Sequence, residues 1–209
     1  MIELKSLQKK FGDNLILDIP SFKLNEGIYW IKGLNGSGKT TLLKILSGTI
    51  PFKGDVLINN ISQKNKPIDY RKLISYAEAE PLYPGFLNGQ EILDLYTSVK
   101  KEKEETINEL LELLQVHYYI KTATGTYSSG MLKKLSLILA FVGKPKVVLL
   151  DEPLVTLDAA SIPRVYNLIK EYHQKFGTTF LLTSHQDFID TSSFINNTLL
   201  VENKTIRFI

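Results

Sequence analysis

The sequence predicts an α/β protein: a mainly parallel sheet, an antiparallel β subdomain near the N-terminus and a helical insert in the middle. Two observations carry that reading. An apolar run, Ile28-Tyr29-Trp30-Ile31, feeds the glycine-rich stretch Gly33-Leu34-Asn35-Gly36-Ser37-Gly38-Lys39-Thr40. That stretch opens into a helix-like run through Thr41, Leu42, Leu43, Ile45 and Leu46. Further on, Val147-Val148-Leu149-Leu150 leads without a polar residue into Asp151-Glu152-Pro153, as a strand buried on both faces of a parallel sheet does.

The first stretch fills every fixed position of G-x-x-x-x-G-K-[ST] between a strand and a helix, the context of a phosphate-binding P-loop. Gly33, Gly36 and Gly38 let the backbone take positive φ and turn successive N–H groups into one concavity. The helix that follows adds unpaired N–H donors and the positive end of its dipole. Asn35, Gly36, Ser37, Gly38, Lys39, Thr40 and Thr41 are therefore candidate nucleotide contacts. Lys39 would reach the β- and γ-phosphates, and the Thr40 hydroxyl would ligate Mg²⁺.

The other elements follow in order. Residues 2–7 alternate as a half-exposed strand, and Leu15 to Ile19 forms a second before Pro20. Phe11, between them, can stack on a purine ring or serve packing, and the residues alone leave both open. Asn25-Glu26-Gly27 and Pro51-Phe52-Lys53-Gly54 are turns, and Asp55 to Ile58 is a strand. Arg71 to Ala77 reads as a strand entering a loop, 78–86, whose Leu82, Tyr83 and Phe86 suit either a docking surface or local packing. Helical spacing covers Gln90 to Val99 and Glu102 to Val116, and the mixed-sign run Lys100 to Glu105 suits a solvated helix start. Ser128 is a plausible N-cap for a helix over Leu132 to Val142, ended by Gly143 and Pro145. Ser161 to Phe176 is helical, with Pro163 tolerated in its first turn. Thr178 to Thr183 is a buried strand ending at Ser184-His185. Two short strands, Thr198 to Val201 and Thr205 to Phe208, close the chain. His117 and His173 read as surface residues.

Two carboxylates at the carboxyl end of a central strand face the crevice where α/β sheets bind ligands. Beside a phosphate loop, one of these two acids, Asp151 or Glu152, can hold Mg²⁺, directly or through water, while the other polarises an attacking water. His185 also ends a strand of the sheet and can reach the same crevice.

A chain of 209 residues, 44% hydrophobic, suits one large domain or two small ones; the expectation is a single domain, with about 1–77 and 144–209 as nucleotide-binding core with β subdomain and 86–143 as helical subdomain. A net charge of +3, from 25 basic and 22 acidic residues without a basic block, gives no pull toward nucleic acid. With no cysteine there is neither a disulfide framework nor a thiolate metal site. The N-terminus lacks the apolar stretch of a secretion signal, and Leu135 to Val142 is too short to span a bilayer.

Together these motifs resemble the ATP-binding-cassette (ABC) ATPases over essentially the whole chain. The P-loop, Tyr127-Ser128-Ser129-Gly130-Met131 in place of the signature L-S-G-G-Q, Asp151-Glu152, the D-loop ending at Leu157-Asp158 and the switch His185 fall where that family has them. The resemblance implies ATP and Mg²⁺ as cofactors, with Asp151 assisting the metal. It implies Glu152 as general base, His185 at the γ-phosphate and Phe11 stacked on adenine. It further implies a second cassette, in a homo- or heterodimer, so that Ser128, Gly130 and Asp158 serve a shared site. An integral membrane permease subunit would be the other partner, and the chain would sit at the cytoplasmic face of the membrane.

Three departures qualify the likeness. Ala79 falls where the family's Q-loop has glutamine, flanked by Glu78 and Glu80. Tyr127, Ser129 and Met131 replace Leu, Gly and Gln of the signature. The D-loop reads Leu154-Val155-Thr156 before Leu157-Asp158. They point to a signature half weaker than the P-loop half. The expected function is ATP hydrolysis powering transport through separate permeases. The alternatives are a soluble mechanical switch on nucleic acid or the ribosome, or a nucleotide-dependent scaffold with little turnover.

Overall fold

The computed structural model describes residues 1–100, 103–184 and 197–209. Strands β1 (Ile2–Phe11), β2 (Asn14–Leu24), β4 (Lys53–Ile58) and β5 (Ile61–Ser62) form a four-stranded antiparallel sheet in the order β2-β1-β4-β5. This is the expected N-terminal subdomain, with strands that run longer than the alternation suggested. β2 passes straight through Pro20, because β2 is an edge strand and Pro20 lies opposite Ser6, a residue at φ 47° where the β1–β2 pairs skip. An edge or an irregularity is where a strand tolerates a missing N–H.

The second sheet, in the order β10-β9-β3-β8-β7-β6, holds β3 (Ile28–Lys32), β6 (Ile74–Ala77), β7 (Val147–Leu150), β8 (Thr179–Thr183), β9 (Asn197–Glu202) and β10 (Thr205–Phe208). Every pair is parallel except β9 with β10. Its central strands are buried on both faces, and successive residues serve different cores. Val148, Leu150, Phe180, Leu182 and Trp30 pack with the helical insert. Val147, Leu149, Leu181, Tyr29 and Ile31 pack with the antiparallel sheet and with α1 (Lys39–Ser47). α1 thus lies between the two sheets, its Leu42, Leu43, Ile45 and Leu46 all buried.

The helical insert comprises α3 (Gly89–Lys100), α4 (Glu104–Leu113) and α5 (Ser129–Phe141), and α6 (Ser161–Phe176) covers the same face. Two expectations need correction. The stretch from Arg71 to Ala77 is a strand only from Ile74; before it lies α2 (Pro67–Leu73), started by Pro67 in its first turn and anchored by the buried Tyr70, whose hydroxyl donates to the Leu46 carbonyl at 2.7 Å. Of the run Lys100 to Glu105, Lys103, Glu104 and Glu105 are exposed at the start of α4 as expected, whereas the exception is Lys100. Its ammonium donates to the carbonyls of Arg71, Lys72 and Ile74 at 3.2, 3.3 and 3.3 Å, and burial holds it below the usual lysine range.

Leu149 is fully buried in β7, so truncating its side chain removes buried contacts and leaves a cavity. Leu149→Ala should lower the unfolding free energy by about 3 kcal/mol. A urea titration would show this as a lower midpoint with an unchanged slope.

Candidate functional site

Because β3, β6, β7 and β8 run parallel, their carboxyl ends meet at one edge of the sheet, delivering Gly33, Glu78, Asp151 and Ser184 there. The chain leaves β3 through Gly33, at φ 152°. A Cβ there would lie 2.5 Å from the Val201 carbonyl oxygen and 2.6 Å from Ser37 Oγ. It enters α1 through Gly38, a left-handed N-cap at φ 106° that has no side-chain cap bond. The first N–H groups of α1 have no intrahelical partner, so they remain for a ligand.

Lys39 is the first residue of α1 and nearly buried. Its Nζ donates to the carbonyls of Gly33 at 2.7 Å and Leu34 at 3.2 Å. Burial lowers its pKa, and the nearby Glu152 and Asp151 carboxylates raise it. A cleft of about 250 Å³ opens here. Asn35, Gly36, Gly38, Lys39, Thr40 and Thr41 line it from the loop and α1, Ile16 from β2, and Glu152 from the end of β7. Ser37 turns away: its N–H closes a turn on the Leu34 carbonyl at 3.1 Å, and its side chain is buried behind the loop beside Gly33.

Asp151 is 1% exposed. Thr183 Oγ1 donates to its Oδ1 at 2.5 Å and the Tyr76 hydroxyl to its Oδ2 at 3.2 Å. Burial and then the Asp151 charge push the Tyr76 phenol far above its usual value, so it keeps the proton it donates. Thr183 Oγ1 also accepts the Glu152 N–H at 3.0 Å. Glu152 itself sits at φ 48°, a strained position for a residue with a Cβ. Strain held by surrounding bonds is common where a side chain must be aimed.

No residue of the signature segment lines this cleft. Ser128 caps α5, its Oγ accepting the Met131 N–H at 3.2 Å, and Ser128 and Ser129 are both exposed. Gly130 packs on the D-loop: a Cβ there would lie 2.7 Å from the Thr156 carbonyl oxygen. Lys134, from α5, pairs with Asp158 at 2.6 Å, and Asp158 also accepts from the N–H and hydroxyl of Ser161 at 2.9 Å. Those hydrogen bonds, Lys134's first, hold the Asp158 carboxyl down at about 2.

Of the site residues expected from sequence, the structure brings Asn35, Gly36, Gly38, Lys39, Thr40, Thr41 and Glu152 to one cleft, with Asp151 beside them. Ser128, Gly130 and Asp158 do not line it; they lie where the start of α5 meets the D-loop, through Gly130 against Thr156 and Lys134 with Asp158. Phe11 stands at the end of β1, more than half exposed, with Lys9 Nζ 4.5 Å from its ring centroid. His185 lies outside the described residues. Sequence reasoning missed Ile16, Tyr76, Thr183 and Lys134. Of these only Thr183 left a signal, a polar residue closing an apolar strand at the sheet's ligand-facing edge.

Residues 17–155 match the family described as ABC transporter. The chain is 34% identical over 191 residues to the cytochrome c biogenesis ATP-binding export protein CcmA of Legionella pneumophila, covering 90% of this chain and 94% of that protein. It is 29% identical over 208 residues to the Fe(3+) ions import ATP-binding protein FbpC of Photorhabdus laumondii, but spans only 59% of that protein's length. Among solved structures, an ATP-binding subunit of an ABC transporter superposes with a TM-score of 0.88 at 23% identity, over 99% of this chain and 88% of the other. The ATP-binding cassette MJ0796, in a dimeric post-hydrolysis state bound to ADP and Pi, gives 0.85 at 20% identity, over 100% and 98%.

The Lys134–Asp158 pair supports a pH test. A folded-state pKa below the usual 3.8 means that the pair's stabilisation is complete above that value and is lost as pH falls through about 2. Lys134→Ala should move the Asp158 titration, followed by its carboxyl ¹³C shift, back toward 3.8. Because the carboxylate is half exposed, the stability lost at neutral pH should stay within about 1 kcal/mol.

Proposed function

The chain belongs to the ABC transporter family and is an ATPase of that family, and from this premise we propose that it binds Mg-ATP in a cassette dimer and hydrolyses it to power transport through separate permease subunits. One observation carries the reading: the P-loop, with Lys39 curled into it, and Glu152 line a single cleft. The triphosphate lies along the loop N–H groups, and Lys39 exchanges its two carbonyl acceptors for phosphate oxygens of full charge. More than half of the Phe11 ring is exposed at the end of β1 for stacking on the adenine.

The residues present fit magnesium, a hard cation that takes oxygen ligands and keeps water. Thr40 offers a hydroxyl. Asp151 offers a buried carboxylate whose oxygens each already accept one hydroxyl bond, which favours its acting through metal-bound water. Bound there, the ion would neutralise charge on the β- and γ-phosphates. Glu152 takes a proton from the attacking water as its oxygen bonds to the γ-phosphorus. The bond to the β-bridging oxygen breaks, and ADP and phosphate leave.

A second cassette supplies what this cleft lacks on its open side: a serine hydroxyl and helix N–H donors such as those that Ser128 presents. The exposed Leu82 and Phe86 of the 78–86 loop, 90% and 84% accessible, support permease docking there. Tyr83 belongs to the core instead, packed against the helical insert. No helix among the described residues is long and apolar enough to cross a membrane. The chain would thus be held at the cytoplasmic face by its permease.

Glu152→Gln should keep ATP affinity within about twofold while turnover falls about a thousandfold. Nucleotide binding by fluorescence and phosphate release on the same preparation would check this. A wild type that binds ATP but releases no phosphate, with or without its permease, would overturn the proposal.

A further inference from the structure

Lys133 is 0% exposed, yet it carries a charge. Its Nζ lies 2.7 Å from the Glu78 carbonyl oxygen, 3.2 Å from that of Ala79 and 2.7 Å from that of Asp151. An ammonium has three N–H donors, so these acceptors use all of them. A neutral amine has only two N–H donors, so three carbonyl acceptors call for the charged form. Filling the same volume with an apolar side chain would avoid taking a cation out of water. The charge therefore does something that packing alone does not.

What it holds is specific. The Asp151 carbonyl belongs to the peptide that joins Asp151 to Glu152, and the N–H of that same peptide donates to Thr183 Oγ1. One peptide is thus gripped by Lys133 at its oxygen and by Thr183 at its nitrogen, just before Glu152 at φ 48°. The other two carbonyls belong to the segment leaving β6, where Ala79 has no side chain able to reach the cleft. Lys133 itself lies one turn into α5, three residues after Gly130.

We propose that Lys133 is a positioning residue for hydrolysis: its ammonium locks the Asp151-Glu152 peptide and the 78–79 backbone to the signature helix, so that a partner's closure on Ser128 is transmitted to this chain's own general base. The inference rests on the ATPase reading above. It makes the backbone of 78–79, rather than a side chain at Ala79, the link between the docking loop and the carboxylates.

Lys100 provides the control, because it makes a comparable three-carbonyl clamp at the opposite end of β6, away from Glu152. In the full chain, Lys133→Met should lower kcat for ATP by about tenfold to a hundredfold, with KM within about twofold because the phosphate-binding loop is untouched. Lys133→Gln, whose amide can satisfy two of the carbonyls, should fall between and serves alone if the methionine variant does not fold. Lys100→Met should lower the melting temperature with kcat unchanged. A folded Lys133 variant with wild-type kcat, or equal loss of kcat in the Lys100 variant, would overturn the proposal. If the wild type shows no turnover, the ATPase reading fails separately. Amide hydrogen exchange then decides: faster exchange at residues 78–80 and 152 in the Lys133 variants but not in Lys100→Met supports the lock, and equal exchange overturns it.

Discussion

An ammonium taken out of water must be met by oxygen, and Lys39, Lys100 and Lys133 each meet it with backbone carbonyls. A carbonyl carries only a partial charge, so such a cage holds a cation without neutralising it. Around Lys39 the carbonyls belong to the P-loop itself and the cage opens on a cleft, so a phosphate of full charge can replace them. Around Lys133 the same chemistry is sealed inside the protein and acts as a fixed joint. Whether an ammonium captures a ligand or braces the fold depends here on access alone.

The second constraint is the shared direction of the strands. Parallel β3, β6, β7 and β8 must all end at one edge, so a loop after residue 32 and carboxylates after residue 150 meet although far apart in sequence. This much was legible. The unbroken run Val147 to Leu150 marks a strand buried on both faces, and the glycines before Lys39 mark a turn into a helix. Once both elements are placed in one parallel sheet, the cleft between them follows.

The rest was not legible, for physical reasons. α2 is a short helix of mixed composition, and it is anchored by Tyr70 reaching the Leu46 carbonyl of α1, a contact between helices distant in sequence. Tyr76 has the alternation of any strand residue, and only the register of β6 against β7 brings its hydroxyl to Asp151. Lys100 and Lys133 look like solvated charges on helices because a sequence shows a side chain's charge but not which face of its helix is covered. Lys133 is revealed as buried only when α5 is laid against β6 and β7.

The altered signature separates two demands that the family pattern combines. Gly130 is constrained from within, since any Cβ would strike the Thr156 carbonyl in the D-loop. Ser129 is exposed and meets no such obstacle, so its extra atoms cost this chain little by itself. On the proposed reading their cost falls on the partner's nucleotide, where a Cβ and hydroxyl stand between the helix N–H groups and a phosphate. Ser128 has its own competition: its Oγ already accepts the Met131 N–H at 3.2 Å. Its hydroxyl hydrogen remains to donate, so capping α5 and contacting a phosphate are compatible, one through the oxygen's lone pair and the other through the proton. The segment can therefore serve a second site while holding its own helix start. What Ser129 alters is how closely the backbone behind that serine can approach.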